Sequence, residues 1–214
     1  MTTDKRQTKR KLGMPSINRK MIVEGSVILI FWIIAVYILI FTERRWIPSG
    51  AMEPTLHGTP NQWEADKIVV DKLKYKFSKP QRGDIVVFLP TEELKKEQYQ
   101  DAFIKRVIGL PGEKAQLQNG KVYINNQPLP EDNYVSSGQN TSIDVCLSGA
   151  QPPFLAKPQT IPADSYLVLG DNRNSSYDSR CWGVVPRENI IGRAVFRFWP
   201  LNHIGGIDKS PLYP

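Results

Sequence analysis

The longest apolar stretch of the chain runs from Gly25 to Thr42 without a charged residue. Read as a helix, it reaches about 27 Å, and Met21–Val23 extend it. That length matches the hydrocarbon core of a bilayer. A buried core helix and a cleaved signal peptide share the pattern. A cleaved signal has a shorter apolar run and a small-x-small exit. Here the exit is Phe41-Thr42-Glu43-Arg44-Arg45, so the pattern predicts a retained transmembrane helix over residues 21–42.

Beyond the anchor the texture changes to short β-branched runs cut by Pro, Gly and Asn. These are Lys67–Lys72, Asp84–Leu89, Phe103–Ile108, Val122–Ile124, Ser165–Leu169 and Ile190–Phe198. No long helical periodicity accompanies them, which predicts a mostly β, antiparallel, strongly turned domain over residues 43–214. Asn119-Gly120, between Lys114–Gln118 and Lys121–Asn125, is the clearest hairpin signal. Thr91–Gln100 is polar and reads as a solvated loop or short helix. Pro128–Thr160 is rich in Pro, Ser, Gly and Asn, and residues 114–160 read as a smaller inserted lobe.

Charge changes the picture by its placement. The net charge is +7, but Lys5, Arg6, Lys9, Arg10, Lys11, Arg19 and Lys20 precede the apolar run, against only Asp4 and Glu24. The excess belongs to a basic tail, residues 1–20, and gives no stripe for nucleic acid. The positive-inside rule puts that tail in the cytoplasm and everything after the anchor on the exported face. Cys146 and Cys181 fall in the exported part. That compartment permits a disulfide, and two unpaired thiols fit the sequence equally. With only two histidines, His57 and His203, far apart, the chain offers no metal-ligand spacing and implies no cofactor.

Three segments could carry chemistry: Ile47–Leu56 (IPSGAMEPTL), Phe103–Glu113 (FIKRVIGLPGE) and Gly170–Arg180 (GDNRNSSYDSR). Each has a plain reading. Pro-Ser-Gly is ordinary turn chemistry. Lys105 lies in an apolar strand with Phe103 and Val107 on its own face, and an alternating strand normally aims such a lysine at water. The third segment is a polar loop after an apolar strand.

Together, and with Arg82–Phe88 (RGDIVVF) and the continuation CWGVVP, these blocks closely resemble the type I signal peptidases, the Ser/Lys-dyad proteases. The resemblance covers the anchor and nearly all of residues 43–200. It implies a β-rich catalytic domain, held on a membrane, that removes signal peptides from exported preproteins. In that family the first block reads Ser-x-Ser-Met-x-Pro-Thr, and its second serine is the nucleophile. Here that position is Ala51, whose methyl cannot attack a carbonyl. The resemblance places Lys105 as general base, Ser49 with the backbone N–H of residue 51 in the oxyanion hole, Ser176 as the hydroxyl that orients the lysine, and Asp178 with Arg180 as an ion pair shaping the site. Phe103 stands where some members have tyrosine.

These roles are chemically coherent. A base must be neutral, a free lysine has a pKa of about 10.4, and burial lowers it by disfavouring the ammonium. An extended substrate paired to sheet edges sends alternate side chains into pockets, for which Ile47, Pro48, Phe103 and Ile104 would form walls. Met52 is expected at a pocket or facing the membrane, while core packing is the plain reading of Ile47 and Ile104. If exposed, Asp178–Arg180 would add little stability. The expected partners are signal peptides and membrane lipid, with no nucleic acid. Ala51 itself fits an engineered Ser-to-Ala variant or a natural, non-catalytic signal-peptide-binding paralogue. A Ser/Lys self-cleaving repressor shares the dyad, but the anchor and the lack of a DNA-binding helical segment argue against it.

Overall fold

The computed structural model describes residues 19–146 and 152–207. Most of the basic tail thus lies outside the described residues. The chain divides between Ile40 and Phe41. The first unit is the helix α1, Arg19–Phe41, which runs to the first residue of the second. It has no buried residue and is long and apolar enough to cross a membrane. From Gly25 on it carries no charged residue, and its apolar side chains surround the axis, a pattern consistent with a membrane-spanning helix.

From Phe41 on, the chain is mostly β. The strands are β1 (Thr42–Trp46), β2 (Lys67–Asp71), β3 (Ile85–Phe88), β4 (Phe103–Gly109), β5 (Lys114–Gln118), β6 (Lys121–Ile124), β7 (Gln127–Pro128), β8 (Gln159–Thr160), β9 (Ser165–Leu169), β10 (Val185–Pro186), β11 (Ile190–Trp199) and β12 (Gly205–Gly206). Short helices α2 (Lys74–Phe77), α3 (Glu92–Lys96) and α4 (Ser179–Trp182) intervene. The large sheet runs β1-β2-β11-β3-β4-β9-β10, with β12 added on β11. A small sheet runs β7-β6-β5-β8 and lies within residues 114–160. Every pairing is antiparallel.

The continuous apolar runs follow from burial on both faces. In β3, Val86 and Phe88 enter one core with Val107, Tyr166, Val168 and Trp182, while Ile85 and Val87 enter another with Ile47, Met52, Ile68 and Val70. In β9, Tyr166 and Val168 join the first core, while Leu167 and Leu169 join a third under the small sheet, with Val122, Leu155 and Ile161. A strand covered on one face would alternate apolar and polar; these need not.

The Asn119-Gly120 hairpin is present between β5 and β6, both residues at positive φ, as a tight primed turn demands. Thr91–Gln100 contains a true helix: the Thr91 side chain accepts from the Leu94 N–H, and Leu94 is the one apolar anchor of α3, fully buried.

Candidate active site

Lys105 sits in β4 opposite Val86 of β3, and the pairing of Arg106 with Leu169 carries it beside the end of β9 at Gly170. The strand pattern allowed this side chain to point at water. Instead both faces of β4 are covered, and Lys105 is 4 % exposed. Burial in that apolar setting pulls its amine down from 10.5 to about 8; Asp178 and Asp171 pull the other way. Its Nζ donates to the Ile104 carbonyl at 3.1 Å and lies 5.9 Å from the Phe103 ring.

Ala51 is the middle residue of a one-turn 3-10 helix, Gly50–Met52, and is nearly buried. This turn is tied to the polar loop after β9. Asn172 donates its backbone N–H to the Ala51 carbonyl at 3.1 Å and its side-chain amide to the Gly50 carbonyl at 3.1 Å. Gly170 makes the approach possible: a Cβ there would lie 2.2 Å from Ser176 Oγ and 2.4 Å from the Ala51 carbonyl oxygen. Those two atoms therefore flank a gap smaller than a methyl group. Ser176 is buried, and among the described residues its Oγ has no hydrogen-bond partner. The expected bond from Ser176 to Lys105 is thus not made in this arrangement.

Ser49 precedes the turn with extended backbone and an exposed side chain. As the second residue of the 3-10 turn, Ala51 has an N–H that lies before the reach of the intrahelical bonds. Ser49 and Ala51 are therefore neighbours at the mouth of the turn, whereas Lys105 stands on the sheet and Ser176 on the loop after β9.

The substrate-facing set divides. Pro48 is exposed, and Phe103 and Ile104 are half-buried. Ile47 and Met52, expected at a pocket, are instead 1 % and 0 % exposed and fill the core with Leu56. Ile47, ahead of the turn, and Met52, its last residue, thus pack into the same core.

Asp178 and Arg180 form an ion pair. Both are fully buried, so the pair is internal. Arg180 donates through Nε to Oδ1 at 2.8 Å and through Nη2 to Oδ2 at 2.9 Å. It also donates to the carbonyls of Ser176 and Ser142. Asp178 accepts from the Gly170 N–H at 3.0 Å. Burial pushes its carboxyl up, but Arg180 and the Gly170 N–H overcome this and hold it below the ordinary range; Ser176 adds a smaller pull without a hydrogen bond of ordinary geometry.

Two further buried arginine pairs escaped sequence reasoning. Arg106 grips Asp171 through Nε at 2.8 Å and Nη2 at 2.6 Å, and Thr55 donates to the same carboxylate at 2.5 Å. Arg173 grips Glu131, bonds Thr141 at 2.7 Å and caps the Gly170 carbonyl at 3.0 Å. Both pairs join distant segments, so no local spacing marks them. Their one sequence signal is the density of charge after an apolar strand. Cys146 and Cys181 form a disulfide, with 5.2 Å between Cα atoms. No cluster of three metal-ligating side chains occurs among the described residues.

A buried lysine with a lowered amine, a turn with a methyl at its centre and a loop locked by three bidentate arginine pairs form the arrangement onto which comparison with known proteins falls. The family model for signal peptidase, peptidase S26, matches residues 19–199. A signal peptidase I of Leptolyngbya laminosa is 51 % identical over 173 residues, spanning 80 % of this chain and 75 % of that one. The probable signal peptidase I-2 of a Synechocystis strain is 42 % identical over 201 residues, spanning 94 % and 83 %. The probable signal peptidase I-1 of the same strain is 41 % identical over 175 residues, spanning 80 % and 79 %. On a match that spans α1, the turn at Ala51, β4 and the loop after β9, this chain belongs to the signal peptidase family, peptidase S26.

Proposed function

We propose that this chain is a membrane-anchored Ser/Lys signal peptidase in which the nucleophile is missing, so that it binds signal peptides but does not cut them. The observation that carries the reading is Lys105: buried, with its amine drawn down to about 8, on the strand beside the end of β9, where Gly170 lies close to both Ser176 and the Ala51 carbonyl. No stability argument calls for an unpaired lysine in an apolar strand, whereas a serine nucleophile needs such a base.

The chemistry follows with a serine at position 51. Its hydroxyl oxygen attacks the scissile carbonyl carbon and its proton passes to Lys105 Nζ. The oxyanion is met by the N–H of residue 51 and the Ser49 hydroxyl, each such donor contributing on the order of 3 kcal/mol. The departing amine takes the proton from Lys105, and water then releases the acyl group by the same route. Ser176 positions the amine during these transfers, and Asp178–Arg180 holds the loop that carries Ser176. Pro48, Phe103 and Ile104 edge the substrate strand. The basic tail is cytoplasmic, and the domain from residue 43 works on the exported face.

The test is Ala51→Ser in the full chain, assayed on a preprotein in lipid. Restoring the hydroxyl raises turnover from background by up to about 10⁶-fold, the scale on which a lost serine nucleophile acts. No cleavage, with signal-peptide binding kept, would instead establish a natural non-catalytic binding paralogue.

A further inference from the structure

The turn after β2 has no part in the site above, yet it combines two features that rarely coexist without a purpose. Phe77, the last residue of α2, is 84 % exposed, the most exposed large apolar side chain of the described residues. Around it the chain reads Lys72, Lys74, Lys76 and Lys79. Lys74 lies 3.8 Å from buried Asp84 and is committed inward. Lys76 and Lys79 are exposed and Lys72 partly so. Nearby acids leave the balance positive. Asp71 is occupied in accepting from the Leu73 and Lys74 N–H groups, and Asp164 meets Lys79 only as an exposed contact at 3.9 Å.

The position of this turn identifies its partner. Thr42, the first residue after α1, pairs with Asp71, the last residue of β2. The Lys72 N–H donates to the Phe41 carbonyl at 2.9 Å, and Lys76 Nζ lies 5.5 Å from the Phe41 ring. The basic turn therefore begins where the chain leaves α1 and, on the proposed reading of α1 as a membrane anchor, within a few residues of the bilayer surface.

We propose that the Lys72–Lys79 turn is a lipid contact: Phe77 inserts into the interface, and Lys72, Lys76 and Lys79 meet anionic headgroups. A ring flanked by flexible cations suits the boundary between acyl chains and phosphate. Each lysine close to an anionic surface multiplies the occupancy of such a contact roughly fivefold. Lipid commends itself over a protein partner because the anchor already delivers the turn to the surface, and because the turn offers one apolar side chain with no groove.

The full chain is reconstituted into vesicles of phosphatidylcholine alone or with phosphatidylglycerol. A nitroxide is placed at Phe77→Cys, at Lys121→Cys in the small sheet's hairpin, or at Ile33→Cys within α1. Collision with a water-soluble nickel chelate is then compared with collision with oxygen. The label at 33 reports that the anchor is inserted, independently of the turn. The expected result is several-fold protection from nickel at 77 relative to 121. That protection grows with phosphatidylglycerol and falls at least fivefold when Lys72→Gln and Lys76→Gln are added. Equal nickel access at 77 and 121 with an inserted anchor overturns the proposal. So does protection indifferent to both anionic lipid and the lysine changes.

Discussion

Replacing Lys105 with methionine should make the protein more stable, and the gain should vanish at high pH. Methionine keeps the unbranched stem and discards the charge. In the folded protein the amine stands at about 8, against 10.5 when unfolded. At about 1.4 kcal/mol per pH unit, the gap corresponds to roughly 3 kcal/mol. Below pH 8 the amine is protonated in both states, so the fold bears the full cost of a buried ammonium. Between pH 8 and 10.5 the folded protein releases the proton while the unfolded chain keeps it, and stability climbs. Above 10.5 both are neutral and the cost is gone. Lys105→Met should thus gain about 3 kcal/mol at pH 7, with the difference closing as pH rises through that window. At a urea slope of roughly 2 kcal/mol/M, the midpoint moves up by about 1.5 M at pH 7. Tryptophan fluorescence during urea unfolding of the full chain in detergent, at several pH values, reads both quantities. A difference that stays constant with pH, or a methionine variant less stable at pH 7, refutes the account of Lys105.

Four other outcomes follow from the same contacts. In the Ala51→Ser background, kcat/KM should rise with pH through about 8, because only the neutral amine of Lys105 accepts the proton; a profile flat from pH 6 to 9 contradicts its role as base. Asp178→Asn leaves Arg180 buried against a neutral amide and should cost about 3–5 kcal/mol, visible as a fall of roughly 10 °C in Tm. Gly170→Ala drives a methyl into Ser176 Oγ and the Ala51 carbonyl; overpacking there should cost about 1–3 kcal/mol and lower Ala51→Ser cleavage more than tenfold. Cys146→Ala with Cys181→Ala opens a loop with a sequence separation of 35 and should lower stability by about 4 kcal/mol, read from the urea midpoint.

The fold was legible wherever the determinant was local. The Asn119-Gly120 turn needs positive φ at two successive positions, which those residues favour, and the hairpin stands where they are. The β-branched runs became strands, and the apolar run before Glu43 became a helix. Lys105 was legible only through the resemblance, because alternation along a strand does not say which face meets water. Asp178 and Arg180 lie two residues apart, and such a pair reads as surface charge until the third dimension closes over it. Arg106 and Asp171 lie 65 residues apart, and no pattern in either neighbourhood joins them. Ile47 and Met52 sit in the core, Ile47 as its plain reading allowed; for Met52, a one-turn helix directs its side chains by its tilt against the core, which sequence spacing does not encode.

The excursion between Pro128 and Thr160 has the composition of something dispensable, yet it supplies Glu131 and Thr141 to Arg173, the Ser142 carbonyl to Arg180, and Cys146 to Cys181. Trimming it to a short turn would leave the Arg173 guanidinium without its carboxylate, take one acceptor from Arg180 and unpair Cys181. The segment is thus a splint for the loop that carries Ser176. Shortening the chain there should be tolerated only together with matching changes at 173, 180 and 181, so anyone redesigning the protein has to treat the excursion and the loop as one unit.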